Sequence, residues 1–345
     1  MSKQIVNISS LLSFMLLLSG CGQETSLVPL PGNGEQEPVE IRLNASLAEI
    51  SVEVTRADAT MLMPNGSRIG LYGMRNSGDL PGNNPYIDNW EFVTDADGAM
   101  SNPDHAKVYF PAGREQAFLY AYSPYTTSVK VMADGKVGIP VKSDLADNPT
   151  ESPWNTEPWT HAATDLLYAY DDPIHHYRLP LPDNPLNENA YFTFKHALAK
   201  LNILVSTSSA TESYQLNSIA VTFSNGQYGY MNLTDGKITP EASSTKTFTV
   251  GYDPSQTIIS NTTDQAQFSH IVIPPATITD NAIEEIKITA NGTEYIVYEA
   301  TSGPVITLTA GMQKTLHIKF NPDNQAHSSL IDWDNDVNQD IDYNR

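Results

Sequence analysis

The sequence predicts an all-β protein. Apolar residues recur with a period of two from residue 41 onwards, hardly a stretch carries the helical period, and polar turn pairs such as Asp235-Gly236 and Asn291-Gly292 separate the runs. Ile41, Leu43, Ala45 and Leu47 fall on one phase. Ala48, Ile50, Val52 and Val54 fall on the other, which predicts a bulge or break near Leu47 and a strand over Ala48–Val54. Further strands are expected at Ile69–Tyr72, Tyr86–Val93, Lys107–Phe110, Phe118–Tyr122 and Leu166–Tyr170. A Pro-rich stretch, Asp171–Asn189, carries Pro173, Pro180, Pro182 and Pro185 and reads as an interdomain connection. Beyond it, strands are expected at Tyr191–Phe194, Ala197–Val205, Ser218–Ser224, Thr247–Tyr252 and Phe268–Ile273. The last four are Glu284–Ala290, Glu294–Tyr298, Val305–Thr309 and Thr315–Phe320. Short strands with polar turns suggest two β-sandwiches in series, over residues 40–185 and 186–345. The 17 tyrosines suit half-buried strand faces, where the ring packs and the hydroxyl stays wet.

The N-terminus sets the expected compartment. Lys3 precedes a largely apolar run from Ile5 to Leu18, too short for a permanent membrane helix and typical of a secretory signal over residues 1–20. The run ends in Leu18-Ser19-Gly20-Cys21, which is similar to the bacterial lipobox, where the cysteine thiol receives a lipid before cleavage. Residues 21–39, rich in Gly, Pro and Glu, then read as a tether. Cys21 is the only cysteine, and once it carries lipid none is left for disulfides, thiolate catalysis or a zinc–thiolate site. A formal net charge of −21 gives no electrostatic footprint for nucleic acid or anionic lipid.

The search for chemistry returns little. No HExxH, GxSxG, Walker A or GxGxxG motif opens an expected element, so neither a catalytic group nor a cofactor is assigned. Asp332-Trp333-Asp334-Asn335-Asp336 imitates the start of a calcium loop. The glycine and bidentate acid such a loop needs are replaced by Val337 and Tyr343, which favours a solvated acidic tail. His161, Asp165, His175 and His176 lie near one another in sequence, but adjacent histidines on a strand point to opposite faces, so no metal site is assigned. Trp154 and Trp159 could stack on a sugar ring, making surface glycans a candidate partner; the alternative is that both rings cover the end of the first sandwich.

Four segments in order carry a resemblance. They are Val54-Thr55-Arg56-Ala57; Tyr109-Phe110-Pro111 followed by Phe118–Tyr125; Thr164–Ala169; and Phe192–Leu201. Leu330-Ile331-Asp332-Trp333 closes the series. Behind a lipobox, this order resembles the fimbrillins of Bacteroides-type bacteria. The resemblance implies two tandem transthyretin-like (Greek-key) β-sandwich domains and a non-enzymatic structural subunit of a fimbria (pilus) that supports cell adhesion. It also implies export as an outer-membrane lipoprotein, with Cys21 carrying the lipid, including palmitate, and cleavage by an arginine-specific protease between Arg56 and Ala57. Assembly with other fimbrial subunits would follow by donor-strand exchange. The strand before Arg56 would act as a detachable sheet edge, and the stretch Asn324–Arg345 as donor. Fimbrial tip or anchor subunits share this fold, and a monomeric glycan-binding lipoprotein is the alternative from another class.

Overall fold

A computed structural model of the chain describes residues 40–48, 61–76, 78–111, 116–143, 165–169, 176–178, 189–207, 211, 213–241, 246–258 and 267–320. Every regular element among them is a strand. The first are β1 (Glu40–Leu47), β2 (Met61–Leu62), β3 (Arg68–Met74), β4 (Ile87–Thr94), β5 (Ala99–Ser101), β6 (Val108–Tyr109) and β7 (Gln116–Ser123). Next come β8 (Lys130–Val131), β9 (Val137–Lys142), β10 (Leu167–Ala169), β11 (His176–Arg178) and β12 (Asn189–His196). The remainder are β13 (Ala199–Thr207), β14 (Tyr214–Phe223), β15 (Tyr228–Asn232), β16 (Ile238–Pro240), β17 (Lys246–Ile258), β18 (Phe268–Val272), β19 (Ile283–Ala290), β20 (Thr293–Glu299) and β21 (Gln313–Phe320).

The first part departs from an open sandwich. Its strands run β10-β12-β1-β5-β4-β3-β7, and β7 pairs with β10, so seven strands close into a ring. β2 and β6 attach to β1, and β11 extends β7. Closure removes both sheet edges and puts one face of every strand inside. The interior is filled by Ile41, Leu43 and Ala45 of β1, Ile69 and Leu71 of β3, Leu119 of β7, and Phe192 and Phe194 of β12, all buried. β12 follows the Pro-rich stretch at which the chain was expected to divide, yet it belongs to this ring.

The second part is a sandwich. Sheet β18-β13-β21 faces sheet β17-β14-β19-β20 across one apolar core, with Ile203, Ile219, Phe223, Phe268, Ile286 and Phe320 fully buried. The Asn291-Gly292 pair joins β19 to β20 with positive φ at both residues, the geometry a two-residue hairpin demands. Val305–Thr309 forms no strand. Ile306 and Leu308 are nonetheless buried, and the Ile306 amide donates to Asn281 Oδ1 at 3.0 Å instead of to a ladder.

A third sheet, β16-β15-β9-β8, had no counterpart in the sequence reading apart from the Asp235-Gly236 turn before β16. β9 is buried at all six residues, so it shows no alternation, and Gly138 and Pro140 further disguise it as a loop. Val137, Ile139 and Val141 of β9 share a core with Tyr72 and Tyr122 of the ring and with Ile271 and Ile273 at the sandwich. The buried Gln227 amide reinforces the junction: its Oε1 accepts from Ile273 N at 3.0 Å and its Nε2 donates to Ile273 O at 3.3 Å.

Tyr122 anchors this junction on the ring side. Its hydroxyl donates to Asn89 Oδ1 at 2.7 Å and lies 2.8 Å from Thr126 O. Its ring lies over Gly70, where an added Cβ would meet it at 2.2 Å. Removing the hydroxyl takes the Tyr122 donor from the part-buried Asn89 oxygen, a loss of about 0.5–1.5 kcal/mol. Tyr122→Phe is therefore expected to lower the thermal midpoint measurably without changing the far-ultraviolet spectrum of the folded chain.

Burial also raises the phenols of Tyr72, Tyr86, Tyr122 and Tyr252 well above their ordinary value of 10.0. Above pH 10 the unfolded chain sheds these protons while the folded chain keeps them. Stability is thus full below pH 10 and falls as pH rises beyond it. Denaturant titrations at pH 8, 9 and 11 should give coincident midpoints at the first two and a lower one at the third.

Candidate assembly slot

β1 is held on both sides. Along one edge it runs parallel to β12 in continuous register from Arg42↔Asn189 to Leu47↔Phe194. Along the other it meets three short antiparallel strands in succession: β6 at Glu40 and Ile41, β5 at Leu43 and Asn44, and β2 at Ser46 and Leu47. β1, the last described strand before Arg56, therefore lies inside a closed ring rather than at a sheet edge. The expected strand at Ala48–Val54 falls outside the described residues except for Ala48, whose amide donates to Phe194 O at 2.8 Å.

The alternation of β1 explains its seat. Ile41, Leu43 and Ala45 point into the core and are buried, whereas Arg42 is exposed and Asn44 and Ser46 are partly so. Both faces are thus satisfied without any residue of β1 being covalently near β12, some 150 positions away along the chain. The Ser46 hydroxyl donates to Phe192 O at 3.2 Å, and Glu40 pairs with Lys107 at 2.6 Å. That ion pair is largely solvated and weak, although it raises the Lys107 ammonium by hydrogen bond and charge.

The slot has a tight wall at Gly98. Its carbonyl accepts from the Ala45 amide at 2.8 Å, its φ is +78°, and a Cβ there would stand 2.7 Å from Ala45 O. Only glycine meets both demands at once. Asp95 shapes the turn that presents it, its Oδ1 accepting from the Asp97 and Ala99 amides at 2.9 Å each. Leu62, Tyr109 and Tyr191, on the three strands β2, β6 and β12 that border β1, are exposed. They give the outer mouth of the slot an apolar rim of the kind protein contacts use.

Cys21, Arg56, Ala57, Trp154, Trp159, His161, His175 and the stretch Asn324–Arg345 lie outside the described residues. The Asp165 Oδ1 lies 2.8 Å from His196 Nδ1, both side chains largely buried. No group of three or more metal-ligating side chains occurs among the described residues. What the sequence reading missed is the partner of β1. Phe192-Thr193-Phe194 was legible as a strand, but its parallel pairing with β1 was not.

Three of the segments that carried the family likeness meet in the ring. Tyr120–Ser123 lies in β7, Leu167–Ala169 in β10 and Phe192–His196 in β12, and β10 bridges the other two. Among solved structures, the chain is similar to a cell-adhesion candidate from Bacteroides uniformis ATCC 8492, at 16% identity over 83% of this chain and 95% of that chain, with a TM-score of 0.49. A cell-adhesion candidate from Bacteroides ovatus ATCC 8483 gives 15% over 82% and 92%, with a TM-score of 0.48. A fimbrial protein from Bacteroides vulgatus ATCC 8482 gives 14% over 82% and 95%, with a TM-score of 0.44. No curated protein matches the chain. The sequence profile of the fimbrillin-like family matches residues 55–333, which spans the ring after β1 and the whole sandwich, and the chain belongs to that family.

Proposed function

We propose that this chain is a structural, non-catalytic subunit of a surface fimbria that supports adhesion. In this reading it reaches the outer membrane as a lipoprotein on Cys21, and an arginine-specific protease then cuts between Arg56 and Ala57. The cut frees β1, and the vacated slot beside β12 takes a strand from a neighbouring subunit. The C-terminal stretch Asn324–Arg345 is the proposed donor, with Leu330, Ile331, Trp333, Val337 and Ile341 as its apolar side chains. Transthyretin-like connectivity is proposed for the seven-stranded sandwich.

The observation that carries this reading is the position of β1. The strand lies wholly before Arg56, is buried at Ile41, Leu43 and Ala45, and precedes the residues 55–333 shared with the family. Its loss would leave the β12 edge unpaired from Asn189 to Phe194 and open the apolar interior to water. Burial of a leucine or isoleucine side chain is worth about 1.5–3 kcal/mol, so an empty slot is costly and a fitting strand recovers that cost. Donor-strand complementation is an established use of such an opened sheet in pilins. The short partners on the other side, none longer than three residues, leave β12 as the single continuous template.

Two outcomes are expected. Lipidated protein treated with an arginine-specific protease should acquire Ala57 as its new N-terminus and run on unheated gels as a ladder of heat-sensitive multimers. The Arg56→Ala chain should stay monomeric, and persistent monomer after clean cutting at Arg56 would sink the assembly reading. Cys21→Ala should abolish incorporation of labelled palmitate in a lipoprotein-processing host, with the folded part unchanged by circular dichroism.

A further inference from the structure

Inside the slot, β1 and β12 meet with alternating side-chain sizes. Leu43 stands opposite Ala190, and Ala45 stands opposite Phe192. All four are buried, Ala190 and Phe192 completely. On the other side of β1, Ile41 faces Val108 and Leu43 faces Met100. Leucine thus occupies the width that Ala190 leaves, and alanine yields to the ring of Phe192. Interiors packed at crystal-like density have no room for three extra carbons beside a buried ring, and a missing isobutyl group beside alanine leaves a void.

We infer that Ala190 and Phe192 are the specificity determinants of the slot. They admit a strand of a neighbouring subunit that brings a large apolar side chain opposite Ala190 and a small one, of alanine, glycine or serine size, opposite Phe192, with a large apolar side chain beside Val108. The alternate positions, held here by Arg42, Asn44 and Ser46, face outwards and impose no such limit. In sequence, the partner reads large-any-large-any-small when it runs parallel to β12, as β1 does. An antiparallel partner reads in the reverse order, so the pattern also encodes direction. The inference rests on the exchange reading of the slot for its partner, while the size pairing itself belongs to the folded chain.

The test has two arms. In the uncut full chain, denaturant midpoints are measured for A45L, F192A and the double variant. A45L should lower the midpoint, and F192A in the A45L background should cost less than F192A alone, because the small residue opens space for the leucine. Additive losses would overturn the size pairing whatever happens in assembly. Should A45L fail to fold, A45V in the same cycle gives the same reading with one methylene fewer than leucine.

In the second arm, chain cut by the arginine-specific protease is unfolded, freed of the released segment and refolded with a labelled peptide of sequence Glu40–Leu47. The same peptide carrying A45L should bind more weakly by roughly ten- to hundredfold, the span that overpacking a core position implies. The peptide carrying both L43A and A45L should be weaker again. Equal binding of all three would overturn the assignment of Ala190 and Phe192. Binding of none would overturn the exchange reading, and with it the partner, while the midpoint cycle still judges the pairing.

Discussion

The first half of this protein is closed by one strand. β1 is the element through which β12 reaches β5, and without it the ring has two edges instead of none. Its hold combines a continuous parallel ladder on one side, a broken antiparallel one on the other, and three apolar side chains facing Phe192, Phe194 and their neighbours. None of these contacts depends on chain proximity. The strand that completes the ring lies before residues 55–333, the part that matches the family profile.

The other two cores of the molecule are built without β1. No side chain of β1 enters the sandwich core, which is assembled from β13, β14 and the strands from β17 to β21 with their loops. The junction core around β9 likewise draws on Tyr72 and Tyr122 but not on β1. Tyr122, seated on Gly70 and bonded to Asn89, fixes the face of the ring away from the slot.

The likeness to fimbrillins acquires a physical meaning in this arrangement. Its soft aromatic segments are the strands that close the ring, β7, β10 and β12, and Asp165 of one segment bonds His196 of another. The Asp165 carboxylate, 2.8 Å from His196 Nδ1, ties the segment leading into β10 to the end of β12.

The sequence by itself determined the all-β class, most of the strands that alternate, the Asn291-Gly292 hairpin and the inward phase of Ile41, Leu43 and Ala45, because each is a local consequence of period and turn chemistry. It hid β9, which has two buried faces and so no alternation, and it made Val305–Thr309 look like a strand because its side chains are buried in alternation without a ladder. Only the tertiary structure decided that the first part is a closed ring, that β12 belongs to it, and that β1 lies between β12 and three short strands. Those pairings join residues from 14 to 147 positions apart and leave no periodic mark on either partner. The complementarity of Leu43 with Ala190 and of Ala45 with Phe192 is of the same kind, since size matching becomes visible only once the register is known.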